Sequence, residues 1–250
     1  MRPVEKGCVG DSITLEDGTV VVIKEDYKPH TDARSVLLAN LGHYCSYCET
    51  WVQVGSNMEV EHVQPRKYEE NGVCIYQHLQ YKWSNFLLAC QTCNGRSNKT
   101  NKNVVLGQVH LPHLNNTFKS LEYRPGGVVK VNPALSGDSK IHAEKLLSLV
   151  GFDKTSGDDR IEARRYAWDR ATQLLDDYEK SDKDAKSLSC LIKTIEEYGF
   201  WSIWFTVFRN HDEVRAAMID VFPGTAKNCF DPNNHYEPID RNPNNPSDPV

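Results

Sequence analysis

The chain has 250 residues, of which 39% are hydrophobic and 25% are charged, and its formal net charge at pH 7 is −5. This composition is typical of a globular protein with one large domain or two small ones. No apolar run reaches the ~20 residues of a membrane-spanning helix, and the first residues lack the basic and then apolar pattern of a signal peptide. We therefore expect a cytoplasmic protein without membrane contact.

The first 44 residues are expected to form a hairpin and a helix that pack on the part of the chain that follows. In residues 13–23, β-branched residues flank Asp17-Gly18, a pair that favours a tight turn. Residues 33–41 have an apolar side, and Gly42 predicts the end of that helix. No role in chemistry is expected for this helix.

Two CxxC pairs bracket the next part of the chain. The first is Cys45-Ser46-Tyr47-Cys48 and the second is Cys90-Gln91-Thr92-Cys93, with 41 residues between them. Paired cysteines in a chain without a signal peptide favour thiolates on a metal over disulfides. Four thiolates at this spacing can hold one tetrahedral zinc ion, and a site filled by four protein ligands is structural. The remaining four cysteines are expected to be free thiols.

A strand is predicted between the two cysteine pairs. Apolar and polar residues alternate over residues 58–63, and the strand delivers Glu61 and His62 at its end. Residues 66–82 are polar and are consistent with either a second strand or a loop. A helix is expected to begin near Cys93 or Asn94, at the end of the second cysteine pair.

The later part of the chain is predicted to be helical. One or two helices are expected between residues 200 and 222, where an aromatic run favours helical core over a base-stacking surface. From residue 232 onward, the Asn, Pro and Asp content predicts an extended or disordered tail. Three earlier stretches have apolar side chains at a helical period, namely residues 139–150, 161–178 and 185–198.

The charges are unevenly distributed. Residues 96–130 carry six basic side chains and one acidic one, whereas residues 131–250 carry fifteen basic and twenty-one acidic side chains. A basic strip beside the cysteine pairs can bind phosphates. A solvated basic loop explains the same charges equally well, so the strip alone does not decide between the two interpretations.

The stretch from Cys45 to Lys102 resembles the four-cysteine HNH nucleases of the ββα-metal endonuclease superfamily. The resemblance rests on the order CxxC, then Glu61-His62-x-x-Pro, then Trp-x-Asn-x-Leu-Leu-x-CxxC-Asn, then a downstream lysine. Met1-Arg2-Pro3-Val4 and Phe222-Pro223-Gly224-Thr225-Ala226 are further similar to a bacterial group of stand-alone HNH proteins, which includes the PtuB-like nucleases of Septu and related anti-phage systems.

The resemblance implies a ββα-metal HNH core with a structural zinc site of four cysteines. Together with the helical periods of the later part of the chain, it predicts an α+β fold with a mostly α-helical C-terminal region. The expected divisions are an N-terminal hairpin and helix at 1–44, the HNH nuclease core at 45–130, the helical region at 131–231 and the extended tail at 232–250.

The resemblance also assigns roles to single residues. His62 is the expected general base, because an ordinary histidine is largely neutral at pH 7 and can accept a proton. Glu61 and Asn94 are the expected ligands of a catalytic Mg²⁺ or Mn²⁺ ion, which favours oxygen donors; zinc or nickel are alternatives, and Asn98 is a lesser candidate ligand. Asn85 is expected to bond to backbone and to fix the loop that aims His62.

The resemblance implies a metal-dependent endonuclease that acts on DNA, and double-stranded DNA is the expected substrate. It further implies an effector of anti-phage defence that works with an ATPase partner, for which the acidic helical half would be the docking surface. Five basic residues are candidate phosphate contacts, namely Arg66, Lys67, Arg96, Lys99 and Lys102. Of these, Arg96 and Lys99 are expected on exposed turns of the helix near Asn94.

Three other interpretations stay open from the sequence. The cysteine-rich stretch is also compatible with a non-catalytic zinc module that binds nucleic acid or protein. A stand-alone restriction or nicking endonuclease would use the same residues. An RNase could also use the same residues. The sequence does not separate DNA from RNA as the substrate, because no aromatic platform for single strands is evident near the metal residues.

Overall fold

In a computed structural model of the chain, residues 1–53, 58–95, 98–154 and 157–250 are described. Within these ranges no helix combines the length and the apolar character that crossing a bilayer requires. The fold is α+β, with small strand pairs and longer helices. The helices are α1 (Arg34–Leu41), α2 (Gln91–Asn94), α3 (Thr117–Ser120), α4 (Gly137–Leu149), α5 (Asp159–Glu179), α6 (Ala185–Tyr198), α7 (Trp201–Val207) and α8 (Asp212–Val221).

The strands pair two by two, and every pair is antiparallel. In chain order β1 pairs with β2, β3 with β6, β4 with β5, β7 with β8 and β9 with β10. The strands are β1 (Ser12–Thr14), β2 (Val20–Val22), β3 (Met58–His62), β4 (Glu69–Glu70), β5 (Val73–Cys74), β6 (Phe86–Cys90), β7 (Leu121–Arg124), β8 (Val128–Val131), β9 (Phe230–Asp231) and β10 (Glu237–Pro238).

The pair β3–β6 lies at the centre of the cysteine-rich part. Its register places Met58 opposite Cys90 and His62 opposite Phe86. Strand β3 was predicted from its alternation. Residues 66–82 were expected to be either a second strand or a loop, and they contain the short pair β4–β5. The partner of β3 is β6. Strand β6 is almost continuously apolar and is buried along most of its length, because both of its faces are covered; it therefore lacks the alternation that marks a half-exposed strand.

The helix expected to begin near Cys93 or Asn94 ends at Asn94 instead. Helix α2 has only four residues, follows β6 directly and has Asn94 as its last residue. The order β3, β6, α2 is thus a short ββα unit, in which α2 holds Cys93 and Asn94 at the end of the strand pair. Lys99 lies beyond this helix and is buried.

The helical region packs onto the cysteine-rich part through the junction of α6 and α7. Phe200 N–H donates to the carbonyl of Glu49 at 2.9 Å, and the Ser202 hydroxyl donates to the Glu49 carboxylate at 2.6 Å. Gly199 has a φ of 70°, and a Cβ there would lie 2.6 Å from the Glu49 carbonyl oxygen. Glycine is therefore required where the helices approach the first cysteine pair.

The aromatic run of α7 is buried core, as predicted. Trp201, Trp204, Phe205 and Phe208 are at most 1% exposed, and the rings of Trp201 and Phe205 stack with centroids 4.2 Å apart. These side chains belong to one apolar core that also includes residues of the N-terminal part and of β6. The division of the chain at residues 44, 130 and 231 stays a prediction.

The tail from residue 232 was predicted to be extended or disordered. Its last residues are packed, so the prediction of disorder was wrong for them. Asp248 and Val250 are 6% and 1% exposed. Asp248 accepts hydrogen bonds from His110 and His142, each at 2.7 Å. These partners lie more than 100 residues earlier in the chain, so the local composition carries no sign of them.

Candidate active site

The four cysteines of the two CxxC pairs converge. Their Sγ atoms all lie within 4.8 Å of one another, and those of Cys48 and Cys90 are 3.6 Å apart. Four thiolates bound tetrahedrally at ~2.3 Å from one zinc ion are about 3.8 Å apart. Cys45, Cys48, Cys90 and Cys93 therefore fit a structural zinc ion in spacing and in donor chemistry, with no position open to water or substrate.

Tyr47 and Lys99 hold the carboxylate of Glu61. The Tyr47 hydroxyl donates to Oε1 of Glu61 at 3.4 Å, and the ammonium of Lys99 forms an ion pair with the same oxygen. Lys99 also donates to the carbonyl oxygen of His62 at 2.7 Å. Burial raises the pKa of Glu61, and the Lys99 ammonium acts in the opposite direction. The first cysteine pair is thereby tied to the end of β3.

His62 is oriented by a backbone carbonyl. Its Nε2 lies 2.9 Å from the carbonyl oxygen of Gln80. A carbonyl oxygen can only accept a hydrogen bond, so Nε2 carries the proton and Nδ1 has the free lone pair of the neutral ring. Burial lowers the pKa of His62 to about 4, so the ring is neutral at pH 7.

Asn94 is held by Glu59, a residue that the sequence did not single out. Nδ2 of Asn94 donates to Oε2 of Glu59 at 2.7 Å. Glu59 and Glu61 are two residues apart on β3, and Asn94 ends the short helix that packs beside this strand.

Asn85 bonds to backbone groups on two sides. Its Oδ1 accepts from the N–H of Gln64 at 2.8 Å, and its Nδ2 donates to the carbonyls of Gln64 and Leu79 at 3.0 and 3.4 Å. The carbonyl of Leu79 is one residue before that of Gln80, which orients His62. These are the backbone bonds that the sequence led us to expect, and the role of Asn85 in aiming His62 stays a prediction.

One cavity of about 420 Å³ contains the groups that the HNH resemblance selects. Glu61, His62 and Asn94 all line it, together with Glu59. Asn98, the lesser candidate ligand, is 2% exposed, and its amide bonds to the carbonyl of Thr92. The basic and imidazole side chains that line the same cavity are His30, Arg34, Arg66 and Lys67.

The four candidate phosphate contacts that lie in the described residues do not share one surface. Arg66 and Lys67 line the cavity. Lys99 has a side chain that is 0% exposed, so the expectation that it lies on an exposed turn was wrong, and its ammonium is engaged by Glu61. Lys102 is exposed and donates to the carbonyl of Ser148 at the end of α4, at 3.0 Å. Arg96 lies outside the described residues.

Residues 45–100 match the family model described as HNH endonuclease. This segment is an HNH endonuclease domain. A curated relative, the Septu protein PtuB of Bacillus mycoides (strain KBAB4), is 35% identical over 83 residues. These residues are 31% of the present chain and 28% of that protein, so the chain matches less than a third of its relative's length.

Residues outside the HNH domain also form its cavity. The ring of His30, which precedes α1, lies with its centroid 4.8 Å from that of His62, and burial followed by the charge of Arg66 lowers its pKa. His30 was not among the candidate site residues, and the sequence around it has no motif that signals a role in chemistry. The sequence contained a weak signal that Glu59 and Tyr47 belong to the site. Glu59 is a second acidic residue in β3 beside Glu61, and Tyr47 lies inside the first CxxC pair.

Proposed function

We propose that the chain is a metal-dependent endonuclease that hydrolyses phosphodiester bonds of DNA, with double-stranded DNA as the first substrate to test. The observation that carries the proposal is the orientation of His62. Its Nε2 is bound to the Gln80 carbonyl, and its Nδ1 is the proton acceptor of a ring that lines the same cavity as Glu61 and Asn94. A proton acceptor beside oxygen ligands is the arrangement that metal-assisted hydrolysis requires.

The residues present fit a divalent ion at this cavity. Glu61 and Asn94 would hold the ion with a carboxylate and an amide oxygen, which suits Mg²⁺ or Mn²⁺. Tyr47 and Lys99 both contact Oε1 of Glu61, so we assign Oε2 to the ion. The bound ion supplies neutralisation of the charge that develops on the phosphate. Zinc is assigned to the four cysteines, where its role is structural.

His62 acts in the proposed reaction as general base. Its Nδ1 accepts a proton from water, and the water oxygen forms a bond to phosphorus. The bond from phosphorus to the 3′ oxygen breaks, and that oxygen leaves with the electron pair and takes up a proton from solvent water. The neutral state of the ring at pH 7 follows from its burial, which lowers the pKa to about 4. Asn85 contributes by holding the backbone at Gln64 and Leu79, next to the carbonyl that fixes the ring.

The cavity has positive charge where a phosphate backbone would enter. Arg66 and Lys67 lie four and five residues after His62 and line the cavity. Cationic side chains at the mouth of a site attract nucleic acid and position its phosphates without reading sequence. We therefore propose Arg66 and Lys67 as DNA contacts, whereas Lys99 has a positioning role.

We further propose that the nuclease serves bacterial anti-phage defence together with an ATPase partner in the cytoplasm. The support is the similarity to the Septu protein PtuB. The helical and acidic residues 131–250 are proposed as the docking surface of the partner. A net negative charge on this half disfavours DNA there, which is consistent with the use of this half for a protein.

Cleavage of supercoiled plasmid tests the activity. The parent chain is compared with His62→Ala in Mg²⁺ or Mn²⁺ and in EDTA, with zinc content and circular dichroism as controls of folding. We expect metal-dependent nicking or linearisation by the parent and none by His62→Ala. Random products support a defence effector, whereas discrete fragments favour a stand-alone restriction or nicking enzyme. If RNA is cleaved in preference to DNA, RNA replaces DNA as the proposed substrate.

The same assay with an ATPase partner and nucleotide separates a silent nuclease from a zinc-binding module. If the parent cleaves only in the presence of the partner, the proposal stands and the partner is required for activity. If neither condition yields cleavage that depends on His62, the nuclease proposal fails and the non-catalytic zinc module becomes the better interpretation.

A further inference from the structure

The side chain of Asn94 has two chemically different ends. Oδ1 is a metal ligand, whereas the Nδ2 amino group is a hydrogen-bond donor that cannot bind a cation. An asparagine can therefore serve a metal ion only if its amide is turned the right way. In the structure Nδ2 donates to Oε2 of Glu59 at 2.7 Å.

Glu59 fixes this choice because its carboxylate serves as a hydrogen-bond acceptor. An ionised carboxylate accepts hydrogen bonds and cannot donate them. If the amide of Asn94 turned over, Oδ1 would face Oε2 of Glu59, and two acceptor oxygens would lie at hydrogen-bond distance without a proton between them. Glu59 is part of β3, where its backbone is paired with Ala89, so the carboxylate is presented from a fixed strand.

We propose that Glu59 is a positioning residue of the HNH site, which orients the amide of Asn94 so that Oδ1 is turned toward the catalytic ion. The inference rests on the proposed function, because it takes Asn94 as a ligand of that ion. Glu59 acts through Asn94 and is assigned no contact with the ion.

The other two groups of the site are held in the same manner. The Gln80 carbonyl accepts a hydrogen bond from Nε2 of His62, which leaves Nδ1 as the proton acceptor. Tyr47 and Lys99 take Oε1 of Glu61. In each case a partner outside the reaction binds one polar atom and the other atom is the one assigned to water or ion. Partners of this kind are commonly worth about 10- to 100-fold in metal affinity.

Binding of Mn²⁺ to the zinc-loaded protein, measured by the loss of the free Mn²⁺ paramagnetic resonance signal, tests the proposal without any cleavage. The variant Glu59→Met removes the acceptor, and Glu59→Gln keeps an acceptor oxygen of the same reach. Glu70→Met is the matched control, because Glu70 is exposed on β4. We expect Glu59→Met to weaken Mn²⁺ binding ~10-fold or more. Glu59→Gln is expected to restore only part of the affinity, because its amide can accept from Nδ2 of Asn94 or donate to Oδ1. Unchanged binding by Glu59→Met would overturn the proposal.

A second background separates orientation from direct ligation. Asn94→Asp replaces the amide by a carboxylate whose two oxygens are equivalent, so no orientation is needed. In this background Glu59→Met is expected to leave Mn²⁺ affinity equal or improved, since it also removes a repulsion between two carboxylates. An equal loss in both backgrounds would show that Glu59 binds the ion itself or acts by charge, and the positioning role would be wrong.

Different results would contradict the proposed function and the positioning role of Glu59. A parent chain that binds Mn²⁺ through Asn94 but never cleaves would contradict the proposed function and leave the positioning role intact. A parent chain that cleaves plasmid, with Mn²⁺ affinity insensitive to Glu59→Met, would contradict the positioning role alone. Zinc content is measured in every variant, so that loss of the structural site is not mistaken for either result.

Discussion

The guanidinium of Arg160 lies against the thiolate of Cys93, with Nη1 3.1 Å from Sγ. Arg160 belongs to α5, in the helical region, and its side chain is 6% exposed. Asp158 pairs with the same guanidinium, and Asn98 accepts from Nη2 at 3.3 Å. A zinc ion with four thiolates has a net negative charge, so a buried cation that donates to one sulfur stabilises it. The helical region therefore completes the surroundings of the cysteine cluster.

Replacement of Arg160 by Met is expected to destabilise the protein by about 3 kcal/mol, because it leaves the buried carboxylate of Asp158 without its partner. It is also expected to speed the loss of zinc to a chelator, because the sulfur of Cys93 loses its hydrogen-bond donor. Urea unfolding and a colorimetric chelator measure the two effects.

Two further variants make this prediction specific. Asp158→Asn in the Arg160→Met background is expected to recover part of the stability but not the zinc retention. Arg165→Met, which removes an arginine that is 40% exposed from the same helix, is expected to change stability by less than about 0.5 kcal/mol. Equal zinc loss from the parent and Arg160→Met would contradict the assigned role.

Lys99 is expected to act through Glu61 and not through DNA. Lys99→Met removes the cation from a fully buried ion pair and should destabilise the fold by about 3 kcal/mol. Cleavage should fall, because the carboxylate of Glu61 and the carbonyl of His62 lose their common donor. The salt dependence of DNA binding by the folded variant should equal that of the parent. A weaker dependence would restore the phosphate contact predicted from sequence.

The double variant Lys99→Met with Glu61→Gln separates stability from activity. Without a buried charge to compensate, it is expected to regain much of the stability lost by Lys99→Met. It should be inactive, because Gln does not supply a charged ligand. Recovery of cleavage by this double variant would remove Glu61 from the proposed ion site.

How far the sequence predicted the fold depended on whether a signal was local. Strand β3 and the long helices were predicted because their apolar periodicity is written in consecutive residues. Strand β6 was missed because Phe86–Cys90 is apolar on both faces, a pattern that does not distinguish a buried strand from other buried segments. Helix α2 is too short for a period to be visible.

The candidate site was predictable where motif spacing was informative. The cysteines, Glu61, His62, Asn85 and Asn94 followed from the order of the HNH pattern. The burial of Lys99 was not predictable, because a lysine in a polar segment is ordinarily exposed and its partner is 38 positions earlier. His30 enters the cavity from outside the HNH domain, and only the tertiary structure brings it to His62.

The contact of Asp248 with His110 and His142 is expected to weaken in acid. Burial lowers the pKa of His110, and hydrogen bonds from the two histidines outweigh burial to lower the pKa of Asp248. The unfolded chain therefore binds protons on these groups at a higher pH than the folded chain, so stability falls as pH drops below ~6.5 for His110 and below ~3.8 for Asp248.

Hydrogen exchange of residues 240–250 between about pH 7 and about pH 4.5 measures this effect, after correction for the intrinsic dependence of exchange on pH. Protection is expected to fall with pH in the parent chain. Asp248→Asn should lower protection at pH 7 and make its pH dependence steeper, because the Asp248 carboxylate opposes the effect of burial on the pKa of His110. A parent segment equally protected at both pH values would contradict the prediction.

Arg66 is expected to bind a DNA phosphate, and the salt dependence of binding tests this directly. In a background of His62→Ala with Ca²⁺, each lost phosphate contact should reduce the slope of log affinity against log salt by about 1. Arg66→Ala should show this reduction and weaken binding to unrelated DNA sequences alike. Lys102→Ala is the matched control, because Lys102 is exposed but its ammonium bonds to the Ser148 carbonyl at the end of α4. Lys102 lines a different cavity, together with Ser148 and Leu149, from the one that Arg66 lines. If Lys102→Ala lowered the slope and Arg66→Ala did not, the DNA would pass over α4, and the cavity at His62 would need another route to its substrate.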